Sequence, residues 1–463
     1  MAVTEGGRVG WRRTGAAAAL TAGALLLAVT AQAQPLPRIE GPLTMEQAVD
    51  IARQKSLRVK AAGADARVMD SMRREALAPF WPQLSANGYF ADQRMAPNVY
   101  SSAGNTMAKN YQVFNSDQTR DGNFTAMYPL FSGGRDWYGY KAAVARADAG
   151  RQMLGGAEVD VAMQARLDYI ATVREEENVR VTADLLRDID ERLRVSREML
   201  EAGRIPRYYL LRDEAERANV IQMNAMARGR AEWALVHLKT TLGVDLGSPI
   251  TLADRLEFTP VTLPAEEGAH HAVEGHPEVK AATKQREAAV AEVRAAYGNY
   301  FPQVSLSYMY DWAWMKNRAW ESQAENMRMR GDTSEGYSIG VVVTLPLFDG
   351  FMRENAVNTA KTKLERAGYA EELVRQQIAR DVHHAVVMLR AAEKGVEASR
   401  KGLEQSEEEF RIVKERFEAG RGIQLEILDA QVSLTRARFN SVAALAEYHT
   451  QLAMWLRATG RTR

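Results

Sequence analysis

The tetrapeptide EAGR at 201–204 returns unchanged at 418–421, and the segments around it recur in the same order. The matching pairs are FWPQL at 80–84 with YFPQV at 300–304, VKAA at 59–62 with VKAA at 279–282, and PLF at 129–131 with PLF at 346–348. Matches in nearly constant register predict that the chain contains two copies of one structural unit.

Proline placement defines the elements of each copy. No proline lies between Pro129 and Pro206, and none follows Pro346, so each interval can hold a very long helix. The pattern predicts a first copy at 43–243, a linker at 244–277 and a second copy at 278–460. Each copy is predicted to start with a helix. In the first copy this helix is followed by strands 83–93 and 123–131, long helix 135–201 and return helix 207–243. In the second copy it is followed by strands 303–314 and 337–348, long helix 352–418 and return helix 424–459.

The long helices have coiled-coil spacing. Apolar residues recur every seven positions in the second copy, at Val382, Leu389, Val396, Leu403, Phe410 and Phe417. The return helix has apolar residues at alternating threes and fours, beginning with Leu425, Leu428 and Val432. Each long helix is therefore predicted to pack against its own return helix as an antiparallel coiled coil.

The N-terminus predicts export. Arg8, Arg12 and Arg13 precede an apolar run at 16–29 and the small-x-small triplet AQA at 31–33, so residues 1–33 are predicted to be a signal peptide. A membrane anchor is the alternative, but the run is shorter than the roughly 20 residues needed to span a bilayer. The chain has no cysteine, which excludes disulfides and a cysteine-linked lipid, and its net charge of +1 does not favour nucleic acid.

The strand segments alternate with a period of two. One face of the third strand is apolar and aromatic, and Tyr337 begins the apolar face of the fourth. The residues of the third strand on this face are Val304, Leu306, Tyr308, Tyr310, Trp312 and Trp314. Strands of about ten residues with this pattern are typical of a membrane barrel, although a soluble sandwich would alternate similarly. Four strands cannot close a barrel, so several chains must pool them.

The two-copy order, the PQL and PQV strand starts, the PLF strand exits and the paired EAGR turns resemble the TolC-like outer membrane efflux protein family over about residues 43–460. The resemblance implies a mainly α fold with β, in which a homotrimer forms a 12-stranded transmembrane β-barrel with four strands per protomer. Below it lies a long coiled-coil α-helical periplasmic barrel, to whose equatorial belt the linker 244–277 contributes. It further implies an outer-membrane exit duct for a tripartite efflux or type I secretion system.

The implied partners are a periplasmic adaptor protein, an inner-membrane pump and outer-membrane lipid. Transport through the duct is passive, so no catalytic residue, metal or cofactor is expected. A periplasmic coiled-coil scaffold without a pore is the alternative function. It would not need the lipid-facing alternation of strand 303–314. An enzyme is disfavoured because the sequence contains no catalytic motif.

The start of the second return helix is the candidate gate. Glu426 and Asp429 are three residues apart and share one helix face. The resemblance implies that they form a ring of carboxylates in a trimer; a general preference for acidic side chains at helix N-termini is the alternative. Where a relative has a tyrosine and an arginine that lock its gate, this chain has Phe417 and Gly422, so its lock must differ.

The two EAGR turns are the candidate docking surface. Their glycines, Gly203 and Gly420, fit the left-handed residue that ends many helices. The resemblance implies that these turns, including Arg204 and Arg421, contact the adaptor protein. Turn chemistry applies to the glycines in either case, and it is the alternative to docking for the two arginines.

Overall fold

The computed structural model describes residues 41–92, 118–261, 272–316, 332–419 and 421–462. The predicted signal peptide at 1–33 and the candidate docking residue Gly420 lie outside these ranges. So do most of the two loops between paired strands and part of the linker.

The described chain is mainly helical, with two small sheets. Its first half contains β1 (Gly41–Leu43), α1 (Met45–Lys55), α2 (Leu57–Glu75), β2 (Gln83–Asp92), β3 (Gln118–Phe131), α3 (Arg135–Glu201) and α4 (Arg207–Leu242). Its second half contains β4 (Ile250–Leu252), α5 (Pro277–Gly298), β5 (Gln303–Lys316), β6 (Asp332–Thr344), α6 (Met352–Glu418) and α7 (Gln424–Ala458).

The two long helices, α3 and α6, are 67 residues each, or about 100 Å at 1.5 Å per residue. Each packs against the helix that follows it, α3 on α4 and α6 on α7. Between α6 and α7 the buried side chains are Ile378, Val382, Ala385, Leu389, Val396, Tyr448 and Trp455. None of the helices in the described ranges carries an apolar stretch long enough to cross a bilayer.

The alternating three- and four-residue pattern of apolar residues is misleading at the start of α7. Leu425 and Val432 are 49% and 56% exposed, whereas Ile427, Ala430 and Leu434 are buried. The reason is that α7 packs against α3 as well as α6. Its buried face is therefore turned towards two helices rather than towards α6 alone.

The larger sheet has the order β2-β3-β5-β6, and every neighbouring pair is antiparallel. Strands β3 and β5 pair with Phe124 opposite Tyr310 and Ala126 opposite Tyr308. The two copies are thus joined at the centre of the sheet. Strands β2 and β6 each have a pairing edge that no other described strand occupies.

The bounds of two strands differ from the sequence prediction by more than two residues. Strand β3 begins at Gln118 instead of residue 123, and β6 spans Asp332–Thr344 instead of 337–348. The added residues are mostly polar or glycine, so they carry no apolar alternation, yet they pair with β5. Strand β6 ends before Pro346, which has no N–H group for a sheet hydrogen bond.

The smaller sheet connects the segment before α1 and the segment after α4 to α3. Strands β1 and β4 pair in parallel, and the buried Tyr169 of α3 lies beneath them. Its hydroxyl donates to the Leu43 carbonyl at 2.9 Å and accepts the Asp254 N–H at 3.2 Å. Burial raises the pKa of Tyr169 to about 12, so the hydroxyl keeps its proton and remains a donor.

Replacing Tyr169 with phenylalanine tests this connection. Tyr169→Phe removes the acceptor of the part-buried Asp254 N–H and one of the two donors to the buried Leu43 carbonyl, which keeps only the Ala253 N–H. The loss of the two bonds costs about 1–3 kcal/mol. We expect a lower thermal unfolding midpoint, measured by far-ultraviolet circular dichroism in detergent. Tyr369→Phe is the control, because the Tyr369 side chain is exposed and bonds only Glu365 of its own helix. Equal midpoints for the two variants would contradict the connection.

Candidate functional site

The ends of the two long helices furthest from the sheet form the candidate site. At the first turn, Gly203 has a φ of +67°, and the Arg204 N–H donates to the Met199 carbonyl at 2.8 Å. The second turn has the equivalent bond, from the Arg421 N–H to the Arg416 carbonyl at 2.8 Å. Gly203, Arg204 and Arg421 are exposed. The described docking residues therefore lie at the free ends of the hairpins.

A buried polar cluster lies close behind these turns. Asp213 of α4 is fully buried. Its carboxylate accepts from Arg192 Nε at 3.0 Å and from Ser196 Oγ at 2.7 Å, both on α3. The Arg192 side chain is 5% exposed, so the ion pair is removed from water. Removing either partner would strand the other charge in the interior.

The first residue of α7 joins this cluster to the second hairpin. Gln424 is buried, and its Nε2 donates to Asp213 Oδ1 at 3.3 Å and to the Tyr209 carbonyl at 3.1 Å. Farther from the turns, Arg438 and Asp188 form a weaker link at 3.9 Å. We call Arg192, Ser196, Asp213 and Gln424 the tip cluster.

The sequence patterns did not predict the tip cluster, although differences between corresponding positions of the two copies indicate part of it. At the offset of 217 residues, Asp213 corresponds to Ala430, which is buried, and Arg192 corresponds to Glu409. An aspartate in place of a small buried residue indicates that a partner must lie nearby. Comparison of the copies identifies the pair but not Gln424, which comes from the other hairpin.

The two candidate gate carboxylates lie at the open side of α7. Asp429 is exposed and Glu426 is partly exposed. The structure adds a partner that the sequence did not indicate, because Arg416 Nη2 lies 3.8 Å from Glu426 Oε2. Asp429 has no ion-pair partner among the described residues. The two carboxylates are therefore not equivalent, and Glu426 is partly neutralised.

Phe417, the third candidate gate residue, packs between the hairpins. It is 6% exposed and borders a cavity of about 20 Å³ among α3, α6 and α7. Ile427, Val195 and Phe410 also line this cavity. A Cβ on Gly422 would lie 3.2 Å from the Phe417 backbone nitrogen. The aromatic ring therefore seals an apolar seam instead of making a polar link.

The candidate membrane residues lie at the opposite end of the molecule. Antiparallel register places Tyr310 opposite Tyr337 and Tyr308 opposite Ile339. Trp312 and Trp314 continue the same face of β5. The other face carries Ser305, Ser307 and Asp311, opposite Val342, Gly340 and Gly336. The sheet thus has one aromatic, apolar face and one face that is largely polar or small.

A sheet with such faces, carried on helices of about 100 Å, is typical of membrane channel proteins. The chain is similar to the outer membrane efflux protein family. The family model matches residues 269–461.

Relatives match over nearly the whole chain. Protein CyaE of Bordetella pertussis is 26% identical over 92% of this chain and 85% of its own length. Outer membrane efflux protein BepC of Brucella suis is 23% identical over 96% of this chain and 90% of its own. The crystal structure of CusC superposes with a TM-score of 0.75 at 16% identity, covering 93% of this chain and 97% of that one. The structural match establishes the fold.

The buried ion pair of the tip cluster can be tested by a double-mutant cycle. Asp213→Ala and Arg192→Met should each destabilise the protein by about 3–5 kcal/mol, because each leaves a buried charge unpaired. The double variant should recover most of the loss. Chemical unfolding in detergent measures the differences. Glu408→Ala, which breaks an exposed pair with Arg411, is the control and should have no measurable effect. Additive losses in the double variant would show that the two residues do not act as a pair.

Proposed function

We propose that the protein forms the outer-membrane exit duct of a tripartite efflux or type I secretion system. The observation that carries this proposal is the four-stranded sheet at the end of two long helical hairpins. Its apolar face fits lipid, and no other strand among the described residues pairs with the outer edges of β2 and β6. An open sheet edge in hydrocarbon leaves backbone groups without hydrogen bonds.

Three copies satisfy this requirement. Membrane barrels of bacterial outer membranes have at least eight strands, so one chain is insufficient. Pairing β6 of one protomer with β2 of the next would close twelve strands and leave no edge. The α3–α4 and α6–α7 hairpins would then continue the barrel wall into the periplasm as a tunnel of helices.

The start of α7 would form the narrow entrance of this tunnel. Its open side carries Glu426 and Asp429, and three protomers would supply six carboxylates. Leu425 and Val432, exposed in the single chain, would face neighbouring protomers. The carboxylates would attract cations and repel anions, because a narrow pore concentrates the electric field of the charges that line it.

The tip cluster would hold the entrance closed. Widening requires the α6–α7 hairpin to move away from the α3–α4 hairpin. Gln424 bonds both Asp213 and the Tyr209 carbonyl across this boundary. These bonds are buried and must break before the hairpins separate. Phe417 and the apolar seam would keep the closed packing in register.

The exposed turns would receive the partners. Arg204 and Arg421 lie at the free ends of the hairpins, where a periplasmic adaptor protein could bind both copies alternately. The duct itself contains no energy source, so an inner-membrane pump would drive transport. A periplasmic scaffold without a pore would need no apolar sheet face.

Conductance in planar lipid bilayers is the decisive experiment. The purified protein should be extracted in detergent, run as a trimer and insert as uniform channels. A monomer that stays soluble without detergent and never conducts would favour the scaffold.

The carboxylate ring predicts unequal effects on ion selectivity. Glu426→Gln with Asp429→Asn should reduce the cation-to-anion permeability ratio towards one. Asp429→Asn alone should have the larger single effect, because Arg416 already lies beside Glu426. Reversal potentials in a salt gradient measure the ratio. Glu372→Gln, in the exposed middle of α6, is the control. An unchanged ratio in the double variant would refute the ring.

The tip cluster predicts a leaky channel when Gln424 is shortened. Gln424→Ala removes two bonds between the hairpins but leaves the Arg192–Asp213 pair intact. At about 1 kcal/mol per bond, the loss of two bonds should raise the ratio of open to closed channels by roughly thirtyfold. Single-channel recordings measure this ratio. Gln376→Ala, whose amide bonds only Glu372 of the same helix, should behave as the unaltered protein. A Gln424→Ala channel with normal gating would exclude the lock.

A further inference from the structure

One basic side chain lies on the apolar face of the large sheet. The register places Arg120 of β3 between Phe90 of β2 and Trp314 of β5, and directly paired residues of antiparallel strands share a face. The guanidinium carbon is 5.3 Å from the Phe90 ring centroid and 4.9 Å from the Trp314 ring centroid. Both distances are within the range of cation–π contacts.

The two rings leave the N–H groups of Arg120 available to an anion. A guanidinium carries five donors in its plane, and ring contacts do not use them. The carboxylate of Glu335, on the same face, is bonded to the Tyr310 hydroxyl at 3.0 Å. Asp121 points to the opposite face by strand alternation. Within the parts of the chain that the structure describes, Arg120 forms no ion pair.

A shallow notch lies beside Arg120. The next paired row consists of Gly88, Gly122 and Trp312. A Cβ on Gly88 would have no neighbouring atom within 4 Å, and one on Gly122 would meet only the Asn87 carbonyl oxygen, at 3.5 Å. Neither glycine has a positive φ, so backbone geometry does not explain them. They leave unfilled space on the sheet surface beside the Trp312 side chain.

The position of Arg120 along the strands corresponds to the outer rim of the membrane. From Val304 to Trp314, strand β5 rises about 33 Å at 3.3 Å per residue. A tilt of about 40° reduces this to about 25 Å, the height of the apolar band of outer-membrane barrels. Arg120, opposite Trp314, therefore lies where headgroups begin, at the end distant from the helices.

We infer that Arg120 and the adjoining glycine notch bind a phosphorylated lipid of the outer leaflet. The phosphate would accept hydrogen bonds from the guanidinium, which Phe90 and Trp314 hold in place. The lipid body would lie in the notch against Trp312. This inference rests on the proposed function, because the apolar face must be the outside of a barrel.

Binding of purified diphosphoryl lipid A to the detergent-solubilised protein tests the site, with native mass spectrometry as the readout. Arg120→Gln should weaken binding by about tenfold, since a charge-assisted contact is lost. Arg120→Lys should keep most of it. Gly122→Val should weaken binding by filling the notch while leaving the charge in place. Arg228→Gln, on the exposed surface of α4, removes the same charge far from the sheet and should bind as the unaltered protein.

Three outcomes would overturn the inference. They are equal binding by Arg120→Gln and the unaltered protein, an equal loss in Arg228→Gln, and full competition by inorganic phosphate, which would indicate an anion site without lipid. Conductance of the same samples separates this inference from the proposed function. Channels whose lipid binding ignores Arg120 would refute only the lipid site, whereas a failure to form channels would refute the duct itself.

Discussion

The hydrogen-bonding demand of the peptide backbone in lipid is the constraint on which the architecture depends. The four strands pair with each other, but within the described ranges β2 and β6 each have one edge that pairs with no strand. In water such edges are tolerable; in hydrocarbon each unpaired group costs several kcal/mol. The chain can therefore enter a membrane only as part of a closed assembly.

Aromatic and charged residues are arranged in opposite ways at the two ends of the molecule. At the sheet, aromatic rings cover one face, and two of them flank the cation of Arg120. At the helix tips, Phe417 lies inside, and the charges of Arg192 and Asp213 are buried beside it. Burial of an ion pair adds little net stability but penalises every arrangement that separates the partners. Such a penalty suits a structure that stays in one closed packing until the partners of the pair are separated.

Sequence periodicity was informative where a single helix or strand pair determines burial. The absence of proline anticipates α3 and α6, and alternation anticipates the aromatic face of β5. It failed where burial depends on contacts between the two copies. Leu425 is exposed and Gln424 is buried because α7 touches α3, and no period within α7 records that contact. Polar strand ends were missed because their pairing depends on backbone hydrogen bonds, which side-chain type does not reveal.

The equal length of α3 and α6, 67 residues each, has a consequence for how such a protein can change over time. A one-residue insertion in either helix would turn everything beyond it by about 100° and advance it by about 1.5 Å. Gln424 and Asp213 would then no longer meet. Insertions and deletions are tolerable only when both copies acquire them together, in steps near whole heptads. The two long helices must therefore keep the same length even where their side chains differ.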